Sequence, residues 1–363
     1  MHLDKIKINN FKNYSSIMIN FSPKVNFIFG KNGAVKTNLL DTIYYLSYTK
    51  SALNTTDYEN IKKGKKFLTL KDLLIKRKKY TCLLNEKYLK KIFENDTPYK
   101  KIKDHIGKIP CVFITSYNIN LIRGYSKQRR KFIDMLICQL NKNYLNNLIT
   151  YNKLLKQRNA YLKNTLSIEN VDINQLNTYN ERLFILNTSI KTIRKEHINL
   201  FTNRFNKIFK TLSQSNIKAS IEYISNFENK KGIKQYENDF KNDFYSNKTS
   251  FGTHNDDYIF KMDNELIKKF GSQGQQKLFI ISLKIAKFFM LKFFSKKNPI
   301  ILLDDVFKKL DDKRINLLLK YFDSNKFSQI FITDSLHSRI EKIKTINKKI
   351  KIINIKNGEI NGE

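Results

Sequence analysis

The chain has 363 residues, enough for two domains or one domain with a large insertion, and its 41% hydrophobic content supplies a proper core, which excludes a disordered chain. Lys and Arg outnumber Asp and Glu by 68 to 32, a formal net charge of +36, so a polyanionic partner is expected, with nucleic acid first among the candidates. The joint abundance of Lys, Asn and Ile is also what an A+T-rich gene produces, so the charge names no particular site. Cys82, Cys111 and Cys138 lie far apart with no C-x-x-C pair and no matched histidine spacing, which excludes a zinc site and a disulfide framework. The opening Met1-His2-Leu3-Asp4-Lys5-Ile6 alternates like a strand rather than a signal peptide, and Phe288-Phe289-Met290-Leu291 is cut by Lys287 and Lys292, far short of a membrane span. A soluble, cytoplasmic protein is the expectation.

In chain order, residues 2–8 and 15–21 read as strands around a turn at 9–14, and Val25-Asn26-Phe27-Ile28-Phe29 as a third strand. A helix over about 36–49 follows, with Leu39, Leu40, Ile43, Tyr44 and Leu46 on one side. Residues 50–65 read as a loop, 66–100 as short strands, and Cys111–Thr115 as a clear strand after Pro110. From 126 the spacing becomes helical: Phe132, Ile133, Leu136, Ile137 and Leu140 form a stripe that Leu145, Leu148, Ile149, Leu154 and Leu155 carry on towards Leu162. A second long helix is expected over 173–212, after a polar break at 164–172. Strands at 217–227 and 258–262 flank a charged, Asn-rich stretch that is either helix or loop. An apolar helix then runs to Leu291, followed by the strand Ile300–Asp305, a helix near 311–323, the strand Gln329–Thr333, a strand over 349–355 and a turn at Asn357-Gly358. There is no internal repeat. Strands at both ends and a helical middle imply that the N- and C-terminal segments build one sheet around an inserted lobe.

Between the third strand and the first helix stands Gly30-Lys31-Asn32-Gly33-Ala34-Val35-Lys36-Thr37, followed by Asn38. Strand, glycine-containing turn, Lys-Thr and helix is the context of a phosphate-binding loop, in which backbone N–H groups and the helix dipole face the phosphates. Lys36 would reach the β- and γ-phosphates of ATP and the Thr37 hydroxyl would ligate Mg²⁺. The pattern G-x-x-x-x-G-K-S/T demands glycine where this chain has Val35, a β-branched residue that crowds the tight bend. A β-to-α turn with a chance Lys-Thr is the plain alternative.

The distant partners favour the nucleotide reading. Ile300-Ile301-Leu302-Leu303 ending in Asp304-Asp305 is a buried parallel strand delivering two carboxylates to the edge where α/β sheets bind ligands. Asp304 would hold Mg²⁺ through water, and Asp305 would act as general base on the attacking water. Gly271-Ser272-Gln273-Gly274-Gln275-Gln276 opens the apolar helix with a hydroxyl, glycines and amides, a second anion cradle. Its place before the Asp-Asp strand resembles the signature motif of ABC-type ATPases. By that resemblance Ser272, Gln273, Gly274 and Gln275 close over the γ-phosphate of a second subunit.

Ile8–Tyr14, Phe21–Asn26, Leu121–Asp134, Tyr151–Asn159, Gly252–Asp257 and Phe270–Lys277 leading into Leu302–Phe307 carry a resemblance that runs nearly end to end. By these segments the chain resembles the RecF family of recombination mediators. The resemblance implies an α/β fold, an ABC-type ATPase head assembled from N- and C-terminal segments with an inserted mainly helical lobe. Expected bounds are 1–120 for the first part of lobe I, 121–215 for lobe II, and 216–363 for the rest of lobe I. It further implies ATP and Mg²⁺ as cofactors, an ATP-dependent homodimer, and slow DNA-stimulated hydrolysis. Gapped, junction or single-strand-containing DNA would be the substrate. The implied role is replication-fork maintenance, the DNA-damage and SOS response, and loading of the RecA recombinase with other mediator proteins. Lys12 and Asn13 would approach the phosphates.

This chain departs from the family at Val35, at Thr253 and Asn255 where Pro and Arg are usual, and at Lys308-Lys309-Leu310-Asp311, which replaces an acidic, serine-containing loop. No glutamine is assigned to the Mg²⁺-contacting loop. Val35 motivates a rival reading, a static DNA clamp with weak or no hydrolysis. An ATPase-linked nuclease fits poorly, because its acidic metal domain should follow the ATPase and 58 residues remain after Asp305. Arg123, Lys127, Arg129, Arg130 and Lys131 gather at one helix start and are candidate DNA contacts on charge alone, a solvated helix face being the alternative. His254 beside Asp256 and Asp257 reads as a packed loop rather than an acid/base pair.

Overall fold

The computed structural model describes residues 2–31, 35–74, 78–87, 89–227, 232–308, 310–323, 326–336, 339, 350–356 and 359–361. The chain divides into two compact units, one of residues 1–118, 211–214 and 273–363 and the other of residues 119–210 and 215–272. Unit 1 begins with β1 (Leu3–Phe11), β2 (Tyr14–Asn20), β3 (Val25–Phe29), α1 (Lys36–Tyr48), β4 (Phe67–Leu74), β5 (Lys78–Asn85), β6 (Lys90–Glu94), β7 (Thr97–Pro98) and β8 (Cys111–Thr115). Unit 2 holds α2 (Asn120–Arg123), α3 (Ser126–Leu140), α4 (Lys142–Asn164), most of α5 (Ile173–Ser213), β9 (Ala219–Ile224), α6 (Lys234–Asn238), α7 (Phe240–Ser246), β10 (Asp257–Met262), β11 (Glu265–Leu266) and α8 (Ile267–Phe270). Unit 1 resumes with α9 (Gln273–Ser295), β12 (Ile300–Asp304), α10 (Asp312–Asp323), β13 (Gln329–Asp334), β14 (Ile350–Lys356) and β15 (Glu359–Asn361).

Among the described residues, unit 1 carries two sheets of six strands. One is ordered β15-β14-β3-β13-β12-β8 and is parallel except for the β14–β15 pair. Strands β8, β12 and β13 are buried along their whole length, as a sheet covered on both faces requires. The N-terminal β3 lies between β13 and β14, so both ends of the chain do build one sheet. The second sheet is an antiparallel meander ordered β2-β1-β4-β5-β6-β7, with Ile6, Ile8, Leu68, Leu70, Cys82 and Leu84 on its buried face. Helix α1 is buried nearly all round. Its Tyr45 ring meets Phe11 of β1 at 5.7 Å, and its Tyr48 hydroxyl donates to the Cys111 carbonyl of β8 at 2.9 Å. Helix α9 is likewise buried, and Lys284 within it donates to the Phe113 carbonyl at 2.8 Å while burial lowers its pKa to about 8.

Four differences from the sequence reading have physical causes. The first hairpin has a two-residue turn, because Phe11 still pairs with Tyr14 and Lys12 takes a left-handed φ of 49°. The long helix expected from 126 to 162 breaks at Asn141, whose extended backbone ends α3 and whose side chain caps α4 by accepting from the Tyr144 N–H at 2.9 Å. Residues 215–272 belong to unit 2, not to the C-terminal part expected from 216, because β9 and β11 pair with β10, which packs on α3. Unit 2 is therefore less purely helical than expected. Strand β15 was not anticipated, and the turn expected at Asn357-Gly358 lies outside the described residues.

Candidate nucleotide-binding site

Strand β3 ends at Phe29 and the chain turns through Gly30 and Lys31; Asn32, Gly33 and Ala34 lie outside the described residues. Val35 then serves as N-cap of α1 in the left-handed conformation, φ 63° and ψ 12°, with its carbonyl accepting from the Tyr14 hydroxyl at 3.1 Å. Glycine is the ordinary occupant of such a position, and for a β-branched residue it is a strained one. Lys36 is 6% exposed, and its ammonium donates to the carbonyls of Gly30 at 2.6 Å and Lys31 at 3.0 Å. Burial lowers its pKa, the nearby Asp305 carboxylate opposes that shift, and Lys308 adds to it.

The Thr37 hydroxyl lies 3.0 Å from both oxygens of Asp304. Asp304 ends β12 and Thr37 opens α1 beyond β3, so the contact reaches over the C-terminal end of the intervening β13. There Thr333 donates to Asp304 Oδ1 at 2.8 Å and accepts from the Asp305 N–H at 3.1 Å. Burial raises the pKa of Asp304, and the hydroxyls of Thr333 and Thr37 oppose it. Asp305 is left-handed at φ 50°; its Oδ2 takes Lys308 Nζ at 2.5 Å, while Oδ1 is buried without a hydrogen-bond partner. The donor set of the Thr37 hydroxyl and the Asp304 carboxylate is all hard oxygen and fits Mg²⁺, which takes few protein ligands when phosphate supplies the rest. No group of three or more His, Cys, Asp or Glu that could hold a metal ion by itself is found among the described residues.

Lys36, Thr37, Asp304 and Asp305 are thus brought together. Asn38 donates to the Asn13 side chain at 3.0 Å, so the hairpin turn does reach the loop. Lys12, by contrast, pairs with the buried Asp41 at 2.6 Å. Gln273, Gly274 and Gln275 open α9, where a Cβ on Gly274 would stand 2.7 Å from the Arg314 guanidinium, and Ser272 is exposed at the end of unit 2. Thr333 was missed, although Ile330-Phe331-Ile332-Thr333-Asp334 repeats the pattern of an apolar strand ending in polar groups.

The basic cluster needs correcting. Arg129 is buried and grips Asp257 through two bonds of 2.7 and 2.8 Å, and Arg130 donates to Ser126 and to the Asp256 carbonyl. Arg129 is structural, because burying a guanidinium demands a partner, and the half-buried Arg130 is committed to the same segment by its two hydrogen bonds. Arg123, Lys127 and Lys131 remain exposed. His254 is structural too: it donates from Nε2 to the Thr249 carbonyl at 2.8 Å and accepts the Tyr151 hydroxyl at Nδ1, 2.6 Å away, all within unit 2. A second basic surface was not foreseen. On the outer face of the meander Lys7 stands directly opposite Lys71, with Lys5, Lys79 and Lys91 on the same face. Lys79 is paired with Asp96 at 2.9 Å.

These features define an ABC-type ATPase head. Residues 2–70 match the family model of the RecF/RecN/SMC N terminal domain. The Smc head domain from Pyrococcus furiosus superposes with a TM-score of 0.57 at 15% identity over 99% of this chain and 95% of that one. A solved structure of the recombination mediator protein RecF-ATPrS in the RecFOR pathway superposes at 0.89, with 26% identity over 99% of this chain and 98% of that one. DNA replication and repair protein RecF of Flavobacterium johnsoniae is 39% identical over 98% of this chain and 100% of its own length. Its counterpart from Cytophaga hutchinsonii is 37% identical over 93% and 90%. The chain belongs to the RecF family.

Proposed function

We propose that this chain binds ATP with Mg²⁺ and acts on DNA in replication and recombinational repair. The observation that carries the reading is the Thr37–Asp304 contact at 3.0 Å beside the buried ammonium of Lys36. Bound ATP would place its β- and γ-phosphates at Lys36 and the loop N–H groups, with the ion between Thr37 and Asp304. Asp305 would act as general base, with slow hydrolysis. Gln273, Gly274 and Gln275, with Ser272, serve a second subunit in an ATP-dependent homodimer on gapped or single-strand-containing DNA, where recombinase loading follows. The Lys7–Lys71 face supports a polyanion contact, since like charges directly opposite on a sheet destabilise it unless an anion sits between them. The left-handed Val35 favours a second reading, a DNA clamp that binds nucleotide without turning it over.

Binding of a fluorescent ATP analogue and of gapped duplex, titrated across salt, tests both. Lys36→Ala is expected to weaken nucleotide binding roughly 10- to 100-fold, the effect of one charge-assisted contact. The double variant Lys7→Ala, Lys71→Ala is expected to reduce the salt slope of DNA binding by about 2. Equal nucleotide affinity for wild type and Lys36→Ala sinks the nucleotide reading. Turnover absent from wild type but present in Val35→Gly selects the clamp.

A further inference from the structure

The loop after β12 carries a cation where the family resemblance leads one to expect acidic and hydroxyl groups, and that cation lies on the carboxylate assigned as general base. Lys308 Nζ is 2.5 Å from Asp305 Oδ2, with side chains 42% and 20% exposed. Asp305 is otherwise fixed in place: its backbone N–H donates to the Thr333 hydroxyl, its φ is left-handed, and Oδ1 is buried with no hydrogen-bond partner. Lys308 is itself held, because Lys277, in the first turn of α9 beyond the signature residues, donates to the Lys308 carbonyl. A chain of contacts therefore runs from the start of α9 to the general base.

We propose that Lys308 is a positioning residue that holds Asp305 in reserve, so that water attack on bound ATP begins only when this ion pair opens. The inference rests on the nucleotide reading of the site. In the hydrolytic step the water oxygen bonds to the γ-phosphorus, the bond to the β,γ-bridging oxygen breaks to leave ADP and inorganic phosphate, and the water proton passes to Asp305. The pair occupies Oδ2 while Oδ1 is buried, so neither carboxylate oxygen is open to a water until the pair parts. Contacts made on the signature residues by a second subunit would move Lys277 and with it the Lys308 backbone, which couples assembly to chemistry.

The test compares wild type with Lys308→Ala, Lys308→Met and Lys308→Arg in the full chain. Single-turnover hydrolysis at saturating ATP is expected to rise roughly 5-fold in Lys308→Ala and Lys308→Met, the effect of releasing one half-exposed pair, while affinity for the ATP analogue stays the same. Lys308→Arg, which preserves the pair, is expected to keep the slow rate. Without nucleotide, Lys308→Ala should lower Tm by roughly 1–2 °C, and that shift should vanish in an Asp305→Asn background. An unchanged or slower rate in Lys308→Ala, a fast Lys308→Arg, or an undiminished Tm shift beside Asp305→Asn overturns the proposal. Intact nucleotide binding with turnover in none of the chains overturns this inference alone. Loss of analogue binding in wild type removes the nucleotide reading and this inference with it.

Discussion

Buried charge is handled in opposite ways in the interior of unit 2 and at the phosphate loop of unit 1. In unit 2, Arg194 donates to Asp134, to Asp256 at 2.7 Å and to the Thr253 carbonyl, while Asp256 also takes the hydroxyls of Tyr223 and Ser225. Arg158 is shared among Asn180, Asp243 and Thr249, with only Nη2 left over. At the phosphate loop of unit 1, Val35 and Asp305 are both left-handed, Asp305 Oδ1 is orphaned, and Lys36 folds back on loop carbonyls. The first arrangement satisfies almost every group and specifies one packing; the second leaves donors, acceptors and strain in place, as sites that must receive a ligand do. Partner saturation separates scaffold charge from site charge better than burial does.

Breaking the saturated side should have the largest effect. Arg194→Ala leaves Asp134 and Asp256 without their cation and is expected to cost about 3–5 kcal/mol in urea unfolding; a loss under about 1 kcal/mol would erase the contrast. Acid sharpens the same side next. Burial lowers the pKa of His254 from its ordinary 6.5, so the folded state takes up a proton less readily than the unfolded chain. Stability from this group is present above pH 6.5 and is lost as pH falls below it, by up to about 1.4 kcal/mol per pH unit, and His254→Gln should flatten that limb of a stability–pH curve. On the unsaturated side the sign reverses. Val35→Gly removes left-handed strain of about 1–3 kcal/mol against a glycine entropy loss of about 0.5–1, so a net gain near 1 kcal/mol is expected from thermal unfolding. A loss of stability there would show that Val35 is not strained.

Much of unit 1 was legible because its signals are local. An apolar strand, a glycine-containing turn, Lys36-Thr37 and an amphipathic helix follow one another directly, and Asp304-Asp305 closes an unbroken apolar run. Thr333 was not legible, since its importance comes from the strand order that inserts β13 between β3 and β12, which no local pattern states. The basic segment at 123–131 misled because charge alone does not say whether Asp257 waits beneath Arg129. The Lys7–Lys71 pair was equally hidden, since the register of β1 against β4 decides it. Gly252–Asp257 and Tyr151–Asn159, which carry part of the family resemblance, supply Asp256, His254, Tyr151 and Arg158 to the buried polar contacts of unit 2.

The seating of β3 between β13 and β14 bears on how the protein is made. The strand that launches the phosphate loop has its flanking neighbours some 300 residues away, and Leu3 exchanges hydrogen bonds with the Gln329 side chain across a separation of 326 residues. During synthesis the antiparallel meander and unit 2 emerge complete, while β3 waits with both edges unpaired. Pairing of such sequence separation is slow, so the parallel sheet that carries Lys36 and Asp304 closes late. A ribosome that stalls before residue 329 would leave a chain with the meander and unit 2 but with neither neighbour of β3.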